Sequence, residues 1–292
     1  MAKVRKAVIP LAGRATRQFP ASLAVPKGLF PLVDRDGLTK PIVQILAEEA
    51  LDSGIEELCL VTGPGEERVY REYFRRPQPD LLRTVADRRA ATRMAETLAT
   101  IGARLHFAEQ TTPEGFGHAV YQARAFAANE PFLLLLGDHV FISATAERCA
   151  RQVLRVFEGH DLAAVTGVQL TPESLLGMFG TIRGASVDAG GGAGATGNTL
   201  RGVYRAELIV EKPSVDLARA QLATPGLPAG QYLSHFGLHV FGPQMFDVLE
   251  RHIRDNVRHG GEVQLTPAEE RLRAETGRYW VVLVQGRRCD AG

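Results

Sequence analysis

The chain is poor in the features that staple, anchor or electrostatically mark a protein. Its three cysteines, Cys59, Cys149 and Cys289, lie far apart and are odd in number, so neither a disulfide framework nor a zinc-ligand spacing is indicated. Lysine plus arginine (34) and aspartate plus glutamate (33) nearly cancel, leaving a formal charge of +1. That balance gives no global attraction to nucleic acid or to an anionic membrane surface, so any positive site must be local. No apolar run approaches the roughly 20 residues of a membrane span. Residues 1–17 carry basic groups but only a short apolar run, interrupted by Pro10, and do not form a signal peptide. A reducing, cytoplasmic setting is expected. Walker A, HExxH and GxSxG sequences are missing, which disfavours P-loop, zincin and α/β-hydrolase chemistry. The one GxGxxG match, at Gly192, Gly194 and Gly197, lacks a strand before it and a helix-forming run after it. It is flexible-loop composition rather than a dinucleotide fingerprint.

What the sequence has in plenty is strand–helix alternation. With 45% hydrophobic and 23% charged residues over 292 positions, it has apolar material for one large α/β unit. Apolar runs predict strands at 7–12, 58–62, 104–108, 132–136 and 161–168. Helical spacing or helix-favouring composition predicts helices at 41–53, 66–75, 80–101, 117–128 and 144–157. The run at 132–136 is apolar on both faces, as suits a central parallel strand covered from both sides. The second half predicts strands at 179–182, 203–210, 234–241 and 279–285, helices at 243–256 and 266–276, and a Gly/Ala-rich loop at 184–198. The expected fold is a doubly wound, mostly parallel, Rossmann-like mixed sheet with helices on both faces and a small β-rich elaboration, as one domain over 1–292.

In open α/β sheets ligands bind where strands end at their carboxyl side. Gly13-Arg-Ala-Thr-Arg17 follows the first strand, and Lys27 follows Pro26. Glycine admits backbone N–H groups close to an anion, which the cations then neutralise, as a polyphosphate requires. Asp138, after the most apolar strand, is either a Mg²⁺ ligand or a cap of the next helix. Glu211-Lys212-Pro213 follows a later strand, and Asp290 the last one. Gln110 and Gly115 open another helix and suit an uncharged ligand such as a nucleobase. His235 and His239 share a strand face but have no third ligand in view, and are assigned to packing or surface.

These residues, in order and spacing, resemble the sugar-1-phosphate nucleotidyltransferases, and among them the bacterial UTP–glucose-1-phosphate uridylyltransferases. The resemblance runs from Lys6 to Gly292. It is carried by Ala7-Val-Ile-Pro-Leu-Ala-Gly13, Thr16-Arg17, Pro26-Lys27, Pro31-Leu-Val33, Thr112-Pro-Glu-Gly115, Gly117-His-Ala119, Gly137-Asp138, Val210-Glu-Lys-Pro213, Gly261-Glu-Val-Gln-Leu-Thr266 and Asp290-Ala-Gly292. It implies Mg²⁺-dependent nucleotidyl transfer from UTP to a sugar 1-phosphate, glucose 1-phosphate foremost, with pyrophosphate leaving. It also implies a homo-oligomer, a nucleotide part over about residues 1–140 and a sugar-phosphate part over about 141–292. A thymidylyltransferase using dTTP, and a nucleotide-binding regulatory homologue with impaired catalysis, are the alternatives.

By the same resemblance, Arg17 holds the β/γ-phosphates, Lys27 neutralises charge near the α-phosphate, and Asp138 and Asp290 hold the metal. Lys212 binds the sugar phosphate and Glu211 the sugar hydroxyls, while Gly180 and Gly237 let the sugar lie against backbone. Gln110 and Gly115 read the pyrimidine, Leu11, Ala12 and Gly13 pack around the nucleoside, and Arg14 is either a triphosphate contact or solvated. Three departures stand out. Ala15 occupies a family glycine position; if φ is positive there, alanine costs roughly 1 kcal/mol or more. Residues 34–40 are an insertion, expected as a surface turn near the substrate mouth. A further segment beyond Gly292 is expected from the resemblance.

Overall fold

The computed structural model describes residues 3–13, 15–75, 77, 79–84, 87–187 and 202–291. Its strands, in chain order, are β1 (Lys6–Pro10), β2 (Pro31–Val33), β3 (Thr39–Pro41), β4 (Glu57–Thr62), β5 (Leu105–Glu109), β6 (Phe132–Leu135) and β7 (His139–Ser143). They continue as β8 (Ala164–Pro172), β9 (Thr181–Ser186), β10 (Val203–Val210), β11 (Gln231–Phe241), β12 (Tyr279–Leu283) and β13 (Gly286–Asp290). Nine of them form one sheet in the order β5-β4-β1-β6-β11-β8-β12-β10-β9. The pairings among β5, β4, β1 and β6 are all parallel, while β11 runs antiparallel to both β6 and β8. The parallel half ends where β11 joins, and both halves of the chain share one continuous sheet.

Strand alternation sorts side chains between two cores. Ala7 and Ile9 of β1, Leu58 and Leu60 of β4, and Leu133 and Leu135 of β6 enter one core with helices Ile42–Asp52, Arg88–Gly102 and Cys149–Glu158. The intervening Val8, Cys59, Val61, Phe132 and Leu134 enter the other, with helices Phe116–Tyr121, Gln244–Arg254 and Leu265–Thr276. Strands buried on both faces carry no polar alternation, which is why β6 reads as an unbroken apolar run. Among the described residues no helix is long and apolar enough to cross a membrane.

The structure departs from the sequence expectations at several elements. The expected helix over 80–101 is two, Pro79–Thr84 and Arg88–Gly102, the second capped by Asp87, whose side chain accepts from the Ala90 N–H. The expected helix over 117–128 breaks between Phe116–Tyr121 and Arg124–Ala127. The helix expected from 144 begins only at Cys149, because β7 precedes it and Ser143, Thr145 and Glu147 close a hydrogen-bonded turn between them. β8 runs four residues beyond the expected 168, to Pro172, along the full length of β11. Asp290 does not follow the last strand of the sheet: it ends β13, which pairs antiparallel with β7 and sets Asp290 opposite His139. The region expected as a loop begins with the end of β9, and residues 188–201, including the GxGxxG match, lie outside the described residues.

The insertion is anchored rather than loose. β2 and β3 pair as a hairpin around it, and the buried Lys40 ammonium meets Asp34 at 2.8 Å, Asp36 at 2.7 Å and Glu48 at 2.7 Å. Burial alone would lower the Lys40 pKa, but the three carboxylates outweigh it and the pKa is raised. None of residues 34–40 lines the main cavity.

Candidate active site

β1 and β6 lie side by side and parallel, so the segments leaving their carboxyl ends, Leu11–Gly13 and Leu136–Asp138, emerge together. The approach is close: a Cβ on Gly137 would stand 2.2 Å from the Pro10 carbonyl oxygen. Only glycine allows Asp138 to stand at this place. The Lys27 ammonium comes over the first loop, where a Cβ on Gly13 would lie 3.4 Å from it, and reaches Asp138 Oδ2 at 3.4 Å. Arg17 lies 3.4 Å from Asp290 Oδ2 and 4.0 Å from Asp138 Oδ2. β13 thus brings a carboxylate 152 positions downstream of Asp138 into the same cluster. Gln18 donates to the Ala291 carbonyl and ties the arginine turn to that end of the chain.

A relay of side chains orients Asp138. Arg288 donates to His139 Nε2 at 3.1 Å, and arginine is a donor only, so the other ring nitrogen carries the proton. That Nδ1–H donates to Asp138 Oδ1 at 2.8 Å. Arg288 itself lies over the Phe179 ring, 4.0 Å from its centroid. Burial by itself would raise the Asp138 pKa, but the hydrogen bond from His139 and the charge of Lys27 outweigh it and hold the carboxyl well below the usual range. Asp138 is a carboxylate at every physiological pH.

Arg17, Lys27, Asp138, Gly180, Glu211, Lys212 and Asp290 all line one cavity of about 580 Å³. Glu211 accepts from the Thr266 hydroxyl at 2.6 Å, and Lys212 lies 3.5 Å from Glu211 with its ammonium end exposed. Two non-glycine residues at this site hold left-handed backbone: Ala15 at φ 47° and Lys212 at φ 44°. Strain of this kind persists where surrounding contacts fix the chain, and it concentrates at ligand-binding loops. Gly180 faces His235, where a Cβ would lie 2.6 Å from Nδ1; Gly237, at φ 95°, is not in the cavity lining and lies behind His139, which is.

Among the described residues, the remaining sequence candidates do not line the cavity. Leu11 is buried in the core. Ala12 and Gly13 lie on the β1 exit loop. Gln110 donates to the Gly115 carbonyl at 3.1 Å and lies 3.0 Å from His118 Nδ1, so the two expected base-reading residues brace one another in a separate loop. Gly115, at φ 118°, packs against Glu262 and Val263, leaving no room for a side chain. Arg14 lies outside the described residues.

Sequence reasoning missed Arg288, His139 and Phe179, because their roles depend on the β7–β13 pairing. It also left His235 and His239 without a third partner; the structure supplies Glu269, one turn into the helix Leu265–Thr276. Burial would raise the Glu269 pKa, but the two imidazoles and the Tyr279 hydroxyl bring it down to about 2. The buried thiols Cys59 and Cys149 are free and pushed up to about 12 by burial, which makes them poor nucleophiles.

The left-handed Ala15 carries a prediction. Ala15→Gly should stabilise the fold by up to about 1 kcal/mol, read as a raised urea midpoint. A lower midpoint would mean that the Ala15 methyl contributes packing that outweighs its backbone strain.

Residues 6–268 match the nucleotidyl transferase family model. The UTP–glucose-1-phosphate uridylyltransferase of Bacillus subtilis (strain 168) is 35% identical over 294 residues, covering 100% of this chain and 88% of its own length. A UTP–glucose-1-phosphate uridylyltransferase of Streptococcus pyogenes serotype M3 is 32% identical over 294 residues, covering 100% and 86%. Among solved structures, UDP-glucose pyrophosphorylase complexed with UDP-glucose superposes with a TM-score of 0.74 at 23% identity, covering 99% of this chain and 93% of that one, which supports the fold. With a family model matched over most of its length and full-length relatives above 30% identity, this chain is an enzyme of the nucleotidyl transferase family.

Proposed function

We propose that this enzyme transfers a uridylyl group from UTP to a sugar 1-phosphate, glucose 1-phosphate before others, releasing pyrophosphate and a UDP-sugar. The observation that carries this reading is a single cavity holding Arg17 and Lys27 with the carboxylates Asp138 and Asp290, together with Glu211 and Lys212. The choice of UTP rests on the uridylyltransferase relatives at 32% and 35% identity.

In this reaction a phosphate oxygen of the sugar 1-phosphate attacks the α-phosphorus of UTP in line. The bond from that phosphorus to the bridging oxygen breaks, and pyrophosphate leaves with the electron pair. The protein supplies positioning and charge neutralisation. Arg17 neutralises the β/γ-phosphates as they become pyrophosphate, and Lys27, held over Gly13, faces the α-phosphate. Lys212 fixes the sugar phosphate, Glu211 accepts from sugar hydroxyls, and the side-chain-free Gly180 and Gly237 let the sugar approach backbone. Gln110 and Gly115 shape the loop on the pyrimidine side. Asp138 and Asp290 fit Mg²⁺: their oxygens lie within 4.8 Å of one another, and paired carboxylates are hard donors suited to that ion. Bound there, Mg²⁺ would supply positive charge to the phosphate oxygens of both substrates.

Pyrophosphate release from UTP, Mg²⁺ and glucose 1-phosphate tests the proposal, with dTTP and other sugar 1-phosphates as parallel arms. Failure to release pyrophosphate with any pair would overturn it, and faster release from dTTP would reassign the base. Lys212→Ala should raise KM for the sugar phosphate by about 10–100-fold and leave KM for UTP within about twofold. The opposite split would exchange the two phosphate assignments.

A further inference from the structure

β11 breaks register with β8 between His235 and His239, and the two imidazoles stand nearly perpendicular with centroids 5.2 Å apart. Glu269 reaches both, with Oε1 2.8 Å from His239 Nδ1 and Oε2 3.3 Å from His235 Nε2. Glu269 is 0% exposed and His239 2%. Among the described residues no lysine or arginine forms an ion pair with Glu269; its partners are these histidines.

The two carboxylate oxygens differ. Oε1 accepts from Tyr279 Oη at 2.8 Å and is also within 3.5 Å of Thr166 Oγ1. Among the described residues Oε2 has no hydrogen-bond partner, and neither has His235 Nε2, although they face each other at 3.3 Å. Both atoms have almost no solvent-exposed surface, although His235, His239 and Glu269 belong to the lining of the same cavity as Glu211 and Lys212. Leaving two such atoms buried and unmet is costly. Their separation is nonetheless informative, because a tetrahedral ion with ligands at 2.0–2.1 Å holds neighbouring ligand atoms about 3.3 Å apart.

We propose that His235, His239 and Glu269 form a binding site for a borderline divalent transition cation, of which Zn²⁺ best suits the donors, beneath the sugar-phosphate end of the cavity. All three ligand atoms lie within 4.8 Å of one another. Two imidazoles and a carboxylate are a zinc-type set, whereas Mg²⁺ takes oxygens, so this site is chemically separate from Asp138 and Asp290. An ion held by Oε2, His235 Nε2 and His239 Nδ1 takes that Nδ1 from its present contacts, Glu269 Oε1 at 2.8 Å and Thr166 Oγ1 at 3.0 Å, both of which must lengthen. Thr166 and Tyr279, hydrogen-bonded to each other at 2.6 Å, hold the outer oxygen of the carboxylate in place. The ion would tie β11 to the helix Leu265–Thr276, two elements that carry Gly237 and Thr266 at the sugar end.

The full-length protein, stripped with chelator and kept in excess Mg²⁺, is titrated with Co²⁺ as a spectroscopic substitute for Zn²⁺. The expected result is one equivalent bound, with the intense visible absorption of low-coordinate Co²⁺, displacement by Zn²⁺, and a raised melting temperature. Glu269→Gln and His235→Gln should each weaken Co²⁺ binding by at least about tenfold, while Asp138→Asn leaves it unchanged. Should Glu269→Gln not fold, as judged by circular dichroism, His235→Gln at the cavity edge carries the test. No absorption at excess Co²⁺, or binding abolished by Asp138→Asn and spared by His235→Gln, would overturn the site and leave the cluster a buried shared-proton ion pair. Co²⁺ binding and melting are read without turnover, so failure of this inference is distinct from failure of the uridylyltransferase reading.

Discussion

Replacing Asp138 by asparagine should lower kcat by about 10³-fold or more, equivalent to about 4 kcal/mol of transition-state stabilisation, with the fold intact by circular dichroism and a melting temperature lowered by the lost charge. The shape is preserved and one negative charge is lost. Asp138 is where the site's interactions meet: Lys27 at 3.4 Å, Arg17 at 4.0 Å, and the His139–Arg288 relay on the other oxygen. Because its carboxyl is held below the usual range, it stays charged across any practical assay, so the defect should persist as pH rises. Its folded pKa is depressed, so the stability that this charge contributes is present above the unfolded value of 3.8 and lost only as pH falls through the folded pKa. The Mg²⁺ dependence should move to higher concentration alongside kcat. Near-normal turnover of Asp138→Asn would remove this carboxylate from the reaction and with it the assigned metal site.

Gly137→Ala, one position earlier, should fail differently. The added Cβ would meet the Pro10 carbonyl oxygen at 2.2 Å and Leu11 Cδ2 at 2.7 Å. Pro10 is paired with Val61 in an interior strand of the sheet that has neighbours on both sides, which limits how far its backbone can retreat. Relieving the clash requires moving either β1 or the segment carrying Asp138. A loss of about 3 kcal/mol is expected, seen as a fall in melting temperature on the order of 6–10 °C, together with a large loss of activity. The pair separates two roles, since Asp138→Asn stops chemistry in a sound fold while Gly137→Ala harms both. An alanine variant that melts and turns over normally would show that the two strand exits are not in contact.

Much of this architecture was legible beforehand because it depends on local patterns. The unbroken apolar run of β6 reflects burial on both faces, and the glycine-and-cation turn after β1 needs no distant partner to be recognised. Element ends were less legible. Asp87 caps the start of a second helix where the composition runs on, and β8 extends to Pro172 because β11 offers it a ladder, not because of its own residues. The β7–β13 pairing joins segments whose propensity alone is weak; backbone hydrogen bonds between distant strands decide it.

The candidate site divides the same way. Residue type and position after a strand were enough to single out Arg17, Lys27, Asp138, Glu211 and Lys212, since charged groups at strand ends are expensive unless something uses them. Proximity was not contained in that pattern. Asp290 reaches Arg17 only through β13, Arg288 orients Asp138 only through His139, and Gln110 braces Gly115 rather than lining the cavity. His235 and His239 acquire a buried carboxylate only when a helix beginning at Leu265 packs beneath β11. The chain's own pattern therefore settled which chemical groups stand at which strand ends, through local burial and turn preference. Only the folded sheet decided which of them meet, because contact between residues far apart in sequence is set by strand order and register.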